Sequence, residues 1–287
     1  MKKIMIAGMG GQLGFELKRT APENFLLFAP TEADLDITSR DSVFACIAKE
    51  KPEVIINCAA YTAVDKAESE IEKAHAVNQT GPRYLAEAAR QQNALLVHIS
   101  TDFVFDGSQG RPYGIADRPS PLSVYGKSKL AGENEVVNSG AEAFIVRTAW
   151  LYSSQGNNFV KTMLRLMKER ENIGVVADQI STPTWANSLA RVIWQLIDHN
   201  ARGLFHWSDA GVASWYDFAV AIQEEAHALG LLQKQIPIKA IATDYPLPAH
   251  RPGFSVLDKA AACRLLGHQP DHWRTNLRQM LKEITGQ

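Results

Sequence analysis

Tyr125-Gly126-Lys127-Ser128-Lys129 sets a phenol and an ammonium four residues apart, on one face of any helix that carries them. Upstream, Ser100-Thr101-Asp102 closes an apolar run, Leu95–Ser100, that reads as a buried strand. A carbonyl that accepts a hydride needs a proton at its oxygen, and Tyr125 suits that general-acid role. A free phenol titrates near pH ~10, so it needs help near neutrality. The positive charge of Lys129 favours the phenolate, and the Thr101 hydroxyl is placed to hydrogen-bond the reacting oxygen. A Tyr and a Lys at this spacing are more often a solvated helix face. Their position after a strand ending in Ser-Thr-Asp is what points to carbonyl reduction.

The second chemical signal is at the start. Gly8-Met9-Gly10-Gly11-Gln12-Leu13-Gly14 follows the first apolar run and opens the first helical segment, with glycines at 8, 11 and 14 and an extra one at 10. Such a turn lets backbone N–H groups and a helix N-terminus approach a pyrophosphate. Alone it is a weak motif. At the strand-to-helix junction of an alternating chain it reads as a dinucleotide site, and its spacing favours short-chain-type reductases over the G-x-G-x-x-G dehydrogenases.

The elements that must hold these groups alternate. Lys3–Ala7, Phe25–Ala29, Val54–Asn57, Leu95–Ser100 and Ala143–Thr148 read as strands; Gln12–Arg19, Arg40–Lys51, Ile71–Gln92 and Leu122–Asn138 read as helices. Near-continuous apolar strands separated by helices predict a parallel sheet covered on both faces, a Rossmann-like, doubly wound α/β fold. Ligands then bind beyond the carboxyl ends of the strands, where the glycine turn, Thr101 and Tyr125 can meet. After Trp150 the rhythm loosens: 158–171, 184–199 and 214–229 look helical, and 203–207 and 236–241 look like short strands. Residues 1–150 are therefore expected to bind the dinucleotide. Residues 151–287 are expected to form a smaller α/β substrate region, with some elements returning to the first. Prolines cluster from Pro237 to Pro252, and Trp273, Leu277, Met280, Leu281 and Ile284 share one face of a terminal helix that should dock.

Composition narrows the partners. The 287 residues carry 30 Lys and Arg against 31 Asp and Glu, which gives no basic excess for nucleic acid or an anionic membrane. No stretch is long and apolar enough to span a bilayer, and the N-terminal run is too short for a secretory signal. Cys46, Cys58 and Cys263 form no C-x-x-C pair and are expected as free thiols in a reducing, cytoplasmic setting.

With these residues in view, the chain resembles the extended short-chain dehydrogenase/reductase family, in particular its reductases of nucleotide-linked 4-keto-6-deoxy sugars. The resemblance rests on 11–14, Leu35-Asp36-Ile37-Thr38, and the run Asn57-Cys58-Ala59-Ala60-Tyr61-Thr62-Ala63-Val64-Asp65-Lys66-Ala67-Glu68. It continues through 100–107, 124–129, Arg147-Thr148-Ala149-Trp150 and Arg251-Pro252, and so covers nearly the whole chain. It implies that Gly8, Gly11, Gln12 and Leu13 meet the pyrophosphate and that Asp36 and Ile37 meet the adenine. It also implies that Ala59, Ala60 and Tyr61 line the cofactor beside Tyr125 and Lys129. Thr101, Tyr125 and Lys129 would be catalytic, with Asp102 beside the sugar, Trp150 packed on it and Arg251 paired with the diphosphate. A core tryptophan and a solvated loop arginine are the plain alternatives for the last two. The chain departs from the family in having Phe103 after Thr-Asp and Phe254 after the Arg-Pro motif.

Some members bind magnesium at a dimer contact. Glu16 and Glu283 fit two ligand positions, but Asn187 stands where a third carboxylate is expected, so no metal is expected here; a homodimer remains compatible. The cofactor is read as NADPH or NADH, with both used. Glu32 and Asp34 suit a ribose hydroxyl, while Thr31, Lys18 and Arg19 suit a 2′-phosphate. Two other readings stand beside the reductase. One is a non-catalytic NADP-binding subunit like the β subunit of methionine adenosyltransferase. The other is a nucleotide-sugar epimerase or dehydratase, for which Asp102 would be the extra acid–base group.

Overall fold

The apolar runs at the front of the chain do become parallel strands, and their side chains divide by parity between two helical layers. The computed structural model describes residues 1–242 and 247–286. Strands β1 (Lys2–Ala7), β2 (Phe25–Phe28), β3 (Val54–Asn57), β4 (Leu95–Thr101), β5 (Ala143–Thr148) and β10 (Gly203–His206) form one sheet. Its order is β10-β5-β4-β3-β1-β2, and every neighbouring pair is parallel. Ile4, Ile6, Val54, Ile56, Val97 and Val146 point to one layer, and Met5, Ala7, Ile55, Leu96 and Ile145 to the other. That alternation requires both faces to be covered.

The helices are α1 (Gln12–Arg19), α2 (Arg40–Glu50), α3 (Val64–Ala67), α4 (Ile71–His75), α5 (Gly81–Gln92), α6 (Val124–Asn138), α7 (Phe159–Glu169), α8 (Ala186–Asp198), α9 (Trp215–Ala228), α10 (Ala260–Leu266) and α11 (Trp273–Thr285). Leu13 and Leu17 of α1, Leu189 and Ile193 of α8 and Cys263 of α10 cover the first face; Val43 of α2, Leu85 of α5 and Val136 of α6 cover the second. From β1 the chain winds to β2 on one side, then crosses to β3 on the other. This reversal opens a crevice beyond the carboxyl ends of β1 and β3.

The later part of the chain builds a separate apolar cluster from Val160 and Met163 of α7, Phe218 and Ile222 of α9, and Leu277 and Met280 of α11. The terminal helix docks through the face expected for it. Three short strand pairs frame this region. They are β6 (Leu151–Tyr152) with β9 (Thr184–Trp185), β7 (Ile173–Val176) with β12 (Ile238–Ile241), and β8 (Ile180–Ser181) with β11 (Ala213–Ser214). Ser214 caps α9 by accepting from the Asp217 N–H, and Asp217 accepts from the Ser214 N–H in return.

Two expectations change. The helix read over Ile71–Gln92 is interrupted by a π-helical turn at Ala76–Thr80 that turns Asn78 inward. A single inserted residue does not disturb an apolar period enough to be read from sequence. The helix α10 was not anticipated, being short and uncapped by any side chain. Of the proline cluster, Pro246 lies outside the described residues. Among these residues no helix is long and apolar enough to cross a membrane, and the three cysteines are free.

Candidate active site

The glycine turn lies against the end of β3. Gly8 has φ +81°, and a Cβ there would stand 2.5 Å from the Ala59 nitrogen, so only glycine fits between the two strand ends. The Gly11 N–H donates to the Gly8 carbonyl at 3.1 Å, and Gly11 is the N-cap of α1 with no side-chain cap. The first N–H groups of α1 are thus left for an anion, as a pyrophosphate site requires. Gln12 accepts from the Asn158 amide at 2.9 Å, joining the turn to the start of α7.

Ala59, Ala60 and Tyr61 leave β3 partly exposed at the same end of the sheet. Asn78 holds them: its oxygen accepts from the Tyr61 N–H at 2.8 Å, and its amide donates to the Tyr61 carbonyl and to Ser128 Oγ, both at 3.0 Å. This buried asparagine ties the loop after β3 to α6 and was not singled out from the sequence. Its only signal was a polar residue on the apolar side of a helical run. Glu68, three residues after Asp65, accepts from the Val124 N–H at 2.8 Å and so steadies the N-terminus of α6. Asp36 is exposed, its carboxylate bound to the Thr38 N–H and hydroxyl, while Ile37 is buried against Gly81.

Helix α6 starts where Ser123 accepts from the Gly126 N–H at 3.1 Å, two residues later than the expected Leu122. A Cβ at Gly126 would lie 2.2 Å from the Phe103 carbonyl, so this glycine brings the first turn down onto the end of β4. Tyr125 and Lys129 then face Thr101. The Phe103 ring meets Tyr125 edge-on with centroids 5.5 Å apart, an apolar brace against the phenol.

Lys129 is 2% exposed, and its Nζ donates to the Ile99 carbonyl at 2.6 Å. Burial pulls its ammonium down to about 8, opposed by the negative charge of Glu133. Tyr125 is pushed up to about 12 by burial, against a hydrogen bond with Thr101 and with the Asp102 charge adding to the rise. The protein's own groups therefore hold the phenol protonated, where the sequence suggested a phenol lowered by Lys129. The reason is that burial disfavours the phenolate above all, while the Lys129 ammonium is turned onto the strand carbonyl. A protonated phenol is the form that a proton donor needs.

Asp102 is buried beneath this pair. Its oxygens accept from Ser255 Oγ at 2.5 Å, Ser181 Oγ at 3.3 Å and Thr101 Oγ1 at 3.1 Å. Burial raises its carboxyl to about 6 despite those bonds. It joins the end of β4 to two later segments. Trp150, three residues beyond the Arg147 that pairs with Ser100 in register, sits at the same sheet end with φ +45° and packs on Trp215. Arg251 is half-buried, and its fork is taken up by Asp65, Nη2 to Oδ2 at 2.7 Å and Nη1 to Oδ1 at 3.0 Å. It is neither a solvated arginine nor an unpaired one.

The acidic pair considered for magnesium is bridged by a guanidinium. Arg19 Nε donates to Glu16 Oε2 at 2.9 Å and its Nη2 to Glu283 Oε1 at 2.6 Å. Glu16 also accepts from Ser153 Oγ and the Asn187 amide. The cationic charge between these carboxylates is already supplied, so the residues present do not fit a divalent ion. Among the described residues no other group of three acidic, His or Cys side chains is placed to hold one.

A parallel doubly wound sheet with a glycine turn at its switch point, and a Thr, Tyr and Lys centre at the end of β4, defines a dinucleotide-binding protein of the short-chain reductase type. The chain belongs to the RmlD substrate binding domain family, whose profile matches residues 1–285. It is 43% identical to a dTDP-4-dehydrorhamnose reductase of Aggregatibacter actinomycetemcomitans over 289 residues, 98% of each chain. The crystal structure of dTDP-4-dehydrorhamnose reductase from Bacillus anthracis in complex with NADP superposes with TM-score 0.93 at 39% identity, covering 99% of this chain and 100% of that one. A Clostridium acetobutylicum structure of the same enzyme gives TM-score 0.93 at 41% identity, covering 99% of both.

Proposed function

We propose that the chain reduces the 4-keto group of dTDP-4-dehydrorhamnose to give dTDP-L-rhamnose, using NADPH or NADH. The observation that carries this is the convergence of Thr101, Tyr125 and Lys129 at the end of β4, beside the glycine turn, in a chain whose match to a family with dTDP-4-dehydrorhamnose reductases runs over residues 1–285. Bound nicotinamide supplies the hydride. Thr101 orients the carbonyl oxygen and Tyr125 gives it a proton, since the alkoxide that forms is a stronger base than a phenolate even at about 12. Lys129 holds positive charge beside the reacting groups. Gly8, Gly11, Gln12 and Leu13 take the pyrophosphate, Asp36 and Ile37 the adenine end, and Ala59, Ala60 and Tyr61 the length of the cofactor. Asp102, Trp150 and Arg251 belong to the sugar-nucleotide side.

Residues 1–150 are read as the cofactor-binding unit and 151–287 as mainly the substrate unit, in a cytoplasmic protein that needs no divalent metal and is compatible with a homodimer. Loss of nicotinamide absorbance on adding dTDP-4-dehydrorhamnose tests the reading. The free sugar should react far more slowly, because the remote nucleotide supplies the binding energy that holds the carbonyl in place. Steady turnover without nicotinamide, or tight NAD carried through purification with epimerised product, would replace reduction by epimerisation. No turnover with full cofactor binding would leave the non-catalytic subunit.

A further inference from the structure

One buried ion pair stands directly behind the reacting groups and takes no part in the chemistry above. Glu133 and Arg147 are 4% and 3% exposed. The guanidinium forks onto the carboxylate, Nη2 to Oε2 at 2.6 Å and Nε to Oε1 at 2.8 Å, and Ser100 Oγ donates to the same Oε1 at 2.5 Å. These three residues come from three elements. Glu133 is on α6, one turn beyond Lys129; Arg147 is on β5; Ser100 is on β4, opposite Arg147 in register and one residue before Thr101.

A buried ion pair is a weak source of stability, because desolvating both charges offsets their attraction. An apolar pair of similar volume would hold α6 on the sheet as well. What apolar residues cannot supply is a fixed negative charge in a dry interior, one helical turn from a buried ammonium. The ionisable groups set against Lys129 are Glu133 from α6, Cys58 from the end of β3 and His98 from β4, with Tyr125 one turn before it on α6 and the Arg147 guanidinium behind Glu133. Burial keeps the Cys58 thiol and the His98 ring uncharged, and Tyr125 is a neutral phenol. Glu133, forked by a guanidinium, is the carboxylate of this set.

We propose that Glu133 is a positioning residue for the reaction: anchored by Arg147 and Ser100, it fixes the turn of α6 that carries Lys129 against β4 and sets a negative charge beside the Lys129 ammonium. The inference rests on the reading of Lys129 as a catalytic group. Arg147 and Ser100 act through Glu133, and the link from Ser100 to Thr101 along β4 brings the general acid and the orienting hydroxyl to one common anchor.

The test is a titration. With lysine labelled at Cε, the Lys129 signal is followed by NMR across pH in the wild type, in Glu133→Gln, and in Glu133→Gln with Arg147→Met. The double variant removes both charges and keeps shape, so it serves if the single variant does not fold. The ammonium midpoint should fall by less in the double variant, where a repelling guanidinium leaves with the carboxylate, and by about one pH unit in Glu133→Gln. With nicotinamide and the sugar nucleotide saturating, kcat should then drop about eightfold at about pH 8.5 but under about twofold at about pH 6.5. A merely structural role would lower kcat equally at both pH values, and an unmoved Lys129 midpoint overturns the proposal. The NMR midpoint does not need turnover, so a wild type that fails to reduce the sugar nucleotide would defeat the functional reading while this inference is still decided.

Discussion

The indole of Trp150 lies flat on that of Trp215, with centroids 3.5 Å apart and planes 8° from parallel. Trp150 has φ +45°, a left-handed conformation that a bulky side chain rarely adopts without support. The Thr184 N–H, donating to the Trp150 carbonyl at 3.1 Å, and the Trp215 ring supply that support. Trp215 is itself fixed at the start of α9 by the Ser214–Asp217 cap and by donation from its indole to Gln179 at 3.2 Å. Trp215→Ala should raise KM for the sugar nucleotide about three- to tenfold, as loss of an aromatic pair allows, with the cofactor Kd unchanged. Fluorescence titration of the cofactor alongside initial rates separates the two; an unchanged KM would assign the stack to core packing alone.

Tyr125→Phe should lower kcat by roughly two to four orders of magnitude while sparing cofactor binding. The ring remains to meet Phe103 edge-on, so the fold should persist. Single-turnover rates monitor the chemical step directly. Near-normal turnover would remove Tyr125 from its role as proton donor.

The fork of Arg251 on Asp65 allows two roles to be told apart. If Arg251 also meets the diphosphate, Arg251→Met should raise KM for the sugar nucleotide by about tenfold or more, with kcat within about threefold. Asp65→Asn should then do much less. Equal losses in both variants would mean that the arginine merely anchors residues 247–252 to α3.

Asp102 offers a pH test of burial. Its carboxyl is raised from 3.8 to about 6 in the folded chain, by burial above all. A raised folded value means that the native state binds the proton more tightly than the unfolded one. The stabilisation is complete below about pH 4 and is lost as pH rises through about 6. Asp102→Asn has no such dependence. From about pH 4 to about pH 7 the variant should therefore gain on the order of 2–3 kcal/mol relative to the wild type in urea unfolding. The histidines and Asp209 are common to both proteins and cancel. A gap that does not move with pH would show Asp102 ionising as an ordinary surface carboxylate does.

Chelation should leave activity within about twofold, because Arg19 already holds Glu16 and Glu283 together. Rates with excess EDTA and with added magnesium check this. A large loss restored by magnesium would show that a metal displaces the guanidinium.

Much of this protein was legible in its sequence, for local reasons. Strand and helix follow from periodicities of two and about 3.6 residues, so β1 to β5, α1 and α11 stand close to where the apolar pattern put them. The spacing of Tyr125 and Lys129 already implied one helix face, and the glycine turn implied a strand-to-helix junction. Only the tertiary structure decided which charges those groups meet. Asp65 finds Arg251 and Arg19 finds Glu283 across long stretches of chain, and Glu133 finds Arg147 on the strand that follows its helix. The turn of Lys129 onto the Ile99 carbonyl and the inward rotation of Asn78 likewise depend on how α6 packs. Periodicity fixes which face of an element is buried, but a side chain's ionisation depends on burial and on partners distant in sequence, which exist only once the layers have packed.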